Sequence, residues 1–441
     1  MNRAAKNKAR ITIVLVLLLL SIFPLVCFWE DVWISTLWID VVAPVSLSER
    51  SANQLLPISV HNPPGDFCMF STQLRERSRP IYARLEADLR KYSKMDRVQR
   101  EKLIGDCRNS GGSCSVLSIR GGKIFVSKLG AGIETRHAET LRHLKRVAEK
   151  FFPLPDVDFA VDTDDGSSDT GQLPRFMLCG FIHAPQGIMV PDFSFFDYPI
   201  TKCPGESSHL FRDFIRNATE RLHVMKQDPR KFVTAKKNDI FWRGARLNNP
   251  TRVDQLDRIL KTMSGNAEGY DLKLMEWVSN TLEGNNAANG CVTMHDHCDH
   301  RFLLHLQGNT YSSRLKYLLL CGSVVFMPQQ EFEEWWYPAF PTADVVDENN
   351  GAIVHVRKDV SDIHTQFEKF FHNRHATKRT IETGLRTLEL AVDVFSEKNV
   401  DCYWGTVLVG ASKAWGPILN GTIGRPIEDI LENPFESFND L

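Results

Sequence analysis

LQGNTYSSRLKYLLLCGSVVF, residues 306–326, decides how this chain is read. An apolar strand over 301–306 ends in the turn Gln307-Gly308-Asn309-Thr310. A helix follows over 312–321, then a short buried strand over 323–326. Strand, glycine turn, helix and strand in that order make a parallel α/β unit. The helix begins at small hydroxylated residues, where backbone N–H groups and the positive dipole end lie open to an anion. Arg314 adds a planar fork that suits a diphosphate. A plain N-cap by Ser312 or Ser313 on a core helix accounts for the same pattern.

Outward from this stretch the alternation continues. Residues 239–242 read as a strand and 252–263 as a helix; 352–356 is a strand and two helices lie between 361 and 400. The alternation predicts a parallel sheet with helices on both faces. Earlier in the chain, 85–98 has helical spacing. Residues 123–126 form a strand opened by Gly121-Gly122, 134–150 is a charged helix, and 158–161 is a strand running into the acidic loop 162–168. No internal repeat or low-complexity block interrupts this.

The chain has 441 residues, 43% hydrophobic and 24% charged, with a net charge of −1. This is the balance of a globular protein of one large or two medium domains, with no basic field to attract nucleic acid. Residues 11–29 carry no charge and span roughly 28 Å as a helix, close to a bilayer's hydrocarbon thickness. Arg3, Lys6, Lys8 and Arg10 precede them, and Glu30 and Asp31 follow. The expectation is a signal anchor at 11–29 with a cytoplasmic tail at 1–10, a stem at 30–65 and everything beyond it lumenal. The partners expected are therefore the membrane, through this helix, and no nucleic acid. Nine cysteines lie beyond the anchor, and in an oxidising lumen some should pair. Cys107 with Cys68 or Cys114, and Cys179 with Cys203, are the pairings considered. Sequons at Asn217 and Asn420 agree with a lumenal location.

Four further constellations could carry chemistry. Arg243, Arg246 and Arg252 cluster past the strand at 239–242, where open α/β sheets bind ligands; solvated surface arginines are the plainer reading. Gly244 between them lets a ligand approach the backbone. The loop Asp162-Thr163-Asp164-Asp165 could supply a general base, hold a divalent metal, or merely be polar; mutual repulsion would raise one of its carboxyls. Cys291, His295, His297, Cys298 and His300 tempt a zinc reading, but the spacing matches no standard finger and lumenal cysteines favour disulfides. Asp192, Ser194 and Phe195, and the segment 331–338 with Glu334, offer aromatic and carboxylate contacts to a sugar, with core packing the equal alternative.

FWRGAR at 241–246, His297-Cys298, the run 308–326 and Trp336-Tyr337-Pro338 together resemble glycosyltransferase family 90, which holds protein O-glucosyltransferases and capsule-associated xylosyltransferases. The resemblance covers roughly 66–400. It implies a GT-B fold of two Rossmann-like domains facing a cleft: an acceptor-side domain at 66–235, a nucleotide-sugar domain at 236–400 and a C-terminal tail at 401–441. It implies an inverting transfer of glucose or xylose from a UDP-sugar to a protein or glycan hydroxyl, with no cofactor beyond that donor. By resemblance, donor contacts fall on Ala245, Arg246, Arg252, Asn309, Thr310, Tyr311, Ser312, Ser313 and Arg314. The base falls on the Asp164-Asp165 pair, with Asp165 favoured. Asp192, Ser194, Phe195, His297 and Glu334 fall on the acceptor or sugar side. Ala245 stands where protein O-glucosyltransferases often carry serine. The end of the chain lacks a KDEL-like signal, so the anchor fits the Golgi better than the soluble ER. Two rival readings remain: a metal-dependent GT-A-like transferase using Asp162-Thr163-Asp164, and a catalytically silent sugar-binding membrane protein.

Overall fold

The computed structural model describes Cys68 and, between 71 and 432, all residues except 94, 110–111, 132–133, 152, 165–174, 183–186, 196–209, 246–248, 263–268, 276, 280–285, 288–290, 341–350, 372–374 and 419–423. The expected tail, anchor and stem lie outside these residues. Among the described residues no helix is long and apolar enough to cross a membrane.

Helix α1 (Thr72–Tyr92) is capped by Ser71, whose hydroxyl accepts from Leu74 N–H. It buries Ile81, Leu85, Leu89 and Tyr92, one stripe at helical spacing. Helix α2 (Arg97–Asn109) follows. The sequence reading ran one helix across 85–98; the chain instead breaks there. Ser93 N–H closes α1 on Leu89 O. Asp96 and Gln99 then cap the next helix reciprocally, each side chain accepting the other's backbone N–H at 2.8 and 3.0 Å.

The first sheet is mixed. Strands β1 (Cys114–Arg120) and β2 (Lys123–Lys128) form a hairpin across Gly121 and Gly122, both with positive φ, as a two-residue turn requires. Helix α3 (Glu134–Lys150) leads to β3 (Val157–Asp162), antiparallel to β1. Strands β4 (Phe176–Met177) and β6 (Ile188–Met189) continue the sheet parallel to β3; β5 (Gly180–Phe181) leaves it. The antiparallel half departs from the Rossmann-like arrangement expected of the first half of the chain.

After α4 (Phe211–Gln227) and α5 (Pro229–Thr234) the second sheet begins with β7 (Lys237–Ala245), α6 (Pro250–Thr262) and β8 (Tyr270–Met275). Two short strands, β9 (Trp277–Ser279) and β10 (Asn286–Ala287), pair with each other. Helix α7 (Met294–His297), β11 (His300–Leu304), α8 (Arg314–Leu319), β12 (Val324–Pro328), β13 (Phe332–Glu333) and β14 (Val354–Val356) follow. The sheet is wholly parallel, in the order β8-β7-β11-β12-β14. In chain order that is 2-1-3-4-5, a doubly wound sheet whose direction of growth reverses between β7 and β11.

Residues alternate across this sheet. Ile240, Trp242, Phe302, Leu304, Val324 and Phe326 pack on one face with α6 and with α9 (Ile363–Phe371). Phe241, Leu303, Val325 and Met327 point to the other face, into a core that continues to the first sheet at Val116, Phe159 and Val161. Helices α10 (Ala376–Val394) and α11 (Glu397–Ala414) enter that shared core.

Residues 401–418 and 424–432, set apart in sequence as part of a tail, are built into the fold. Helix α11 is buried nearly all round, and Cys402 is bonded to Cys68. Strand β15 (Arg425–Pro426) adds to the edge of β2, followed by α12 (Ile427–Glu432). Cys107 pairs with Cys114 and Cys298 with Cys321; Cys291 is also disulfide-bonded. Of the pairings considered, Cys203 lies outside the described residues.

Candidate active site

The C-terminal ends of β7 and β11 part at the reversal, which leaves a crevice in any open α/β sheet. Two arginines fill it. Arg252, on α6 and 2% exposed, donates to Gln307 O at 2.7 Å, Ala245 O at 3.1 Å and Leu306 O at 3.4 Å. It therefore joins the two strand ends. Arg314, at the start of α8, donates to Arg243 O and lies 5.7 Å over the Trp242 ring. Burial, with Arg314 nearby, brings Arg252 down to about 9, and burial brings Arg314 down to about 10. Both stay cationic at neutral pH. Among the described residues neither meets a carboxylate, and carbonyl oxygens are their hydrogen-bond acceptors. Two desolvated cations without a counter-ion favour an anionic ligand.

The glycines are explained by close approach. A Cβ on Gly244 would lie 2.6 Å from Trp242 Cζ2 and 3.1 Å from Arg314 Nη1, and one on Gly308 would collide with Tyr311 O. Gly244 thus makes room for the chain's own Trp242 and Arg314. Thr310 Oγ1 is buried with no hydrogen-bond partner among the described residues. Asn309 is exposed, Tyr311 buried, and Ser312 and Ser313 half-buried. The helix expected over 312–321 is only six residues, and Ser313 makes no side-chain cap. Arginine charge, rather than a long helix dipole, dominates here. Arg246 lies outside the described residues. Arg243 is spent on Asp271, at 2.7 Å.

His305, at the end of β11, is buried beside Arg314 and Arg252; burial and these charges keep it neutral. His297 is buried too, and its Nδ1–H donates to Thr293 O at 2.7 Å. Burial lowers it to about 3, and its Nε2 has no hydrogen-bond partner among the described residues. The zinc reading fails on the cysteines, since Cys291 and Cys298 are both in disulfides.

The acidic loop leaves β3. Asp162 is buried: its Oδ1 accepts from Ser113 Oγ and from Asp164 N–H at 3.1 Å, and Arg175 lies 3.6 Å from Oδ2. Asp162-Thr163-Asp164 therefore does not offer two open carboxylates to a cation, as the GT-A reading requires. Asp164 is exposed; Asp165 lies outside the described residues. His137, on α3, meets Thr163 Oγ1 at 3.2 Å, and burial holds it near 4. The adjacent Arg136 lies 4.7 Å over Phe193, so one end of α3 touches both the acidic loop and the segment after β6.

That segment holds Asp192, Ser194 and Phe195. Strands β3, β4 and β6 run parallel, so Asp192 sits two strand spacings, roughly 10 Å, from the acidic loop. Asp192 is buried and pairs with Lys316, itself 0% exposed, at 3.2 Å; it also accepts from Tyr311 OH at 3.1 Å. Phe195 packs against Phe211, Trp335 and Phe395. Glu334 is buried near Lys316 and Asp192, and burial pushes its carboxyl well above the usual range. These side chains lie inside, between the sheets, rather than on an open surface. Lys316 escaped the sequence reading, although a lysine within the apolar run 315–320 is itself a signal of a buried partner.

A sequence profile of glycosyl transferase family 90 matches residues 76–415. The chain belongs to this family. Curated relatives in the same direction include the O-glucosyltransferase rumi homolog of Anopheles gambiae, 27% identical over 194 residues, 43% of this chain and 44% of that protein. Protein O-glucosyltransferase 1 of Mus musculus is 25% identical over 284 residues, 60% of this chain and 65% of that one. The O-glucosyltransferase rumi of Drosophila pseudoobscura pseudoobscura reaches 32% over 102 residues, 22% of this chain and 23% of that protein. The matched stretches thus span less than two thirds of these relatives.

Proposed function

We propose that this protein is an inverting glycosyltransferase that moves a sugar, glucose or xylose, from a UDP-sugar to a hydroxyl of a protein or glycan acceptor. The observation that carries this is the pair Arg252, buried, and Arg314, half-buried, which meet no carboxylate among the described residues at the strand reversal. In this reading the two sheets are the halves of a GT-B cleft, and the diphosphate lies between Ala245 and the loop 309–313. A carboxylate of the Asp164-Asp165 pair takes the acceptor's proton as its oxygen attacks the anomeric carbon. The carbon–oxygen bond to the diphosphate breaks, its electron pair leaves with UDP, and the two guanidiniums stabilise the charge that develops. They supply the positive charge for which other transferases use a metal. The 11–29 span would anchor the enzyme in a Golgi or ER membrane with this domain lumenal.

The test is turnover by the purified lumenal domain against a panel of UDP-sugars, with Asp164→Asn and Asp165→Asn made separately. One of the two should cost about 10²–10⁴ in kcat. Full activity in both removes the base from this loop, and indifference of the wild type to UDP in calorimetry ends the donor reading. Activity that survives EDTA supports the arginine mechanism; activity abolished by EDTA and restored by Mn²⁺ refutes it.

A further inference from the structure

Between the cationic crevice and the carboxylate rim lies a polar cluster that the transfer chemistry does not use. Asp192 stands just beyond β6 of the first sheet. Lys316 and Tyr311 stand on α8 of the second sheet and on the loop before it. Lys316 Nζ reaches both Asp192 oxygens, at 3.3 and 3.2 Å, and Ser194 Oγ at 2.6 Å. Ser194 in turn donates its backbone N–H and hydroxyl to Asp192 Oδ1 at 3.0 and 2.8 Å. Tyr311 OH completes the shell of Oδ2. The Lys316 ammonium also sits 4.8 Å over the Phe195 ring.

Such a pair contributes little to stability by itself, because the desolvation of both ions opposes their attraction. Its geometry is its distinctive property. A buried, multiply bonded pair tolerates few arrangements, and this one links groups 124 residues apart in the chain. Tyr311 belongs to the loop that carries Thr310 and leads into Arg314. Asp192 belongs to the strand edge that carries Asp164.

We propose that Lys316, Asp192 and Tyr311 are positioning residues that fix the donor crevice in register with the acid-bearing strand edge. Asp192 and Ser194 act through this bolt, and do not contact acceptor or sugar. The inference rests on the donor reading above, and it makes a separable prediction. Arg252 and Arg314 are held by carbonyls of their own sheet, so loosening the bolt leaves the diphosphate grip intact. What shifts is the base relative to the sugar, and a displacement of order 1 Å costs up to about 10²-fold in turnover.

Tyr311→Phe removes one hydrogen bond and opens no cavity. Lys316→Met removes the cation while keeping most of the side chain's bulk. The measurements are kcat, UDP affinity by calorimetry, and the melting temperature. The expected result is a fall in kcat of about 10-fold or more in Tyr311→Phe, with the UDP dissociation constant within about threefold of wild type. Lys316→Arg should recover part of the turnover lost in Lys316→Met. A kcat within twofold of wild type in Tyr311→Phe overturns the proposal, even if Lys316→Met fails to fold. A loss of UDP affinity that matches the loss of turnover also overturns it, because Tyr311 would then be a ligand of the donor. A wild-type domain that binds no UDP strikes instead at the donor reading beneath.

Discussion

Replacing Gly308 with alanine should disable the crevice proposed to hold the donor while sparing the fold. The backbone at 308 is not in the left-handed region, so alanine meets no torsional barrier there. The cost comes from one contact: the new methyl would collide with Tyr311 O, with Arg252 Nη2 the next polar neighbour at 3.7 Å. To reach an ordinary nonbonded separation the turn must open by about 1 Å. Two ties resist that opening. Asn249 holds Gly308 O, and Arg252 holds Gln307 O at 2.7 Å. Overpacking of this kind costs about 1–3 kcal/mol of stability. If this loop holds the diphosphate as proposed, a misplacement of about 1 Å should lower kcat/KM by up to about 10²-fold. The assay is UDP calorimetry, turnover and thermal unfolding on Gly308→Ala, with Gly105→Ala as control. Gly105 lies within α2, and a Cβ there meets nothing within 4 Å, so that change should be neutral or stabilise slightly. A Gly308→Ala protein that binds UDP and turns over within twofold of wild type would refute the close-approach argument.

Two further outcomes concern buried charge. Asp401 is 0% exposed; burial works to raise its carboxyl, but His143, Arg146 and Lys150 outweigh it and bring it down to about 2. His143 hydrogen-bonds Asp401 at 3.2 Å, and Arg146 and Lys150, at 2.7 and 2.6 Å, add their charge. A depressed carboxyl stabilises above its unfolded value of 3.8. About 2 kcal/mol should be lost as pH falls from there towards 2, and Asp401→Asn should cost about 3–5 kcal/mol at neutral pH, both measured by denaturant unfolding. Glu334 has the opposite sign. Its raised carboxyl stabilises below 4.5, and that contribution declines as pH climbs towards neutrality, so Glu334→Gln should flatten the dependence of stability on pH in that range.

The second sheet was legible because short apolar runs meet glycines at their ends, Gly322 before the run at 323–326 and Gly308 after the one at 301–306. The first sheet was not. Strands β4 and β6 have two residues each, too short for any periodicity, and β15 arrives from position 425. The helix break at 93–96 was written in the sequence as the reciprocal cap of Asp96 and Gln99, but the apolar spacing around it masked the signal. At the site, Arg252 and Arg314 stood out by type and position. That Arg252 spends its donors on three carbonyls is a tertiary fact that no local pattern encodes. The partnership of Asp192 with Lys316 is likewise invisible at a separation of 124 residues.

The way α11 and β15 complete the first sheet bears on how the chain matures. Protein synthesis generally lets an amino-terminal half fold before the rest has emerged. Here the half built first has to wait: Trp404 and Trp415, which press on Phe176, and Cys402, which pairs with Cys68, emerge only after the whole second sheet has been made. Until then apolar strands stand uncovered, so a chain cut before Cys402 should go to chaperones and degradation rather than fold as a smaller domain.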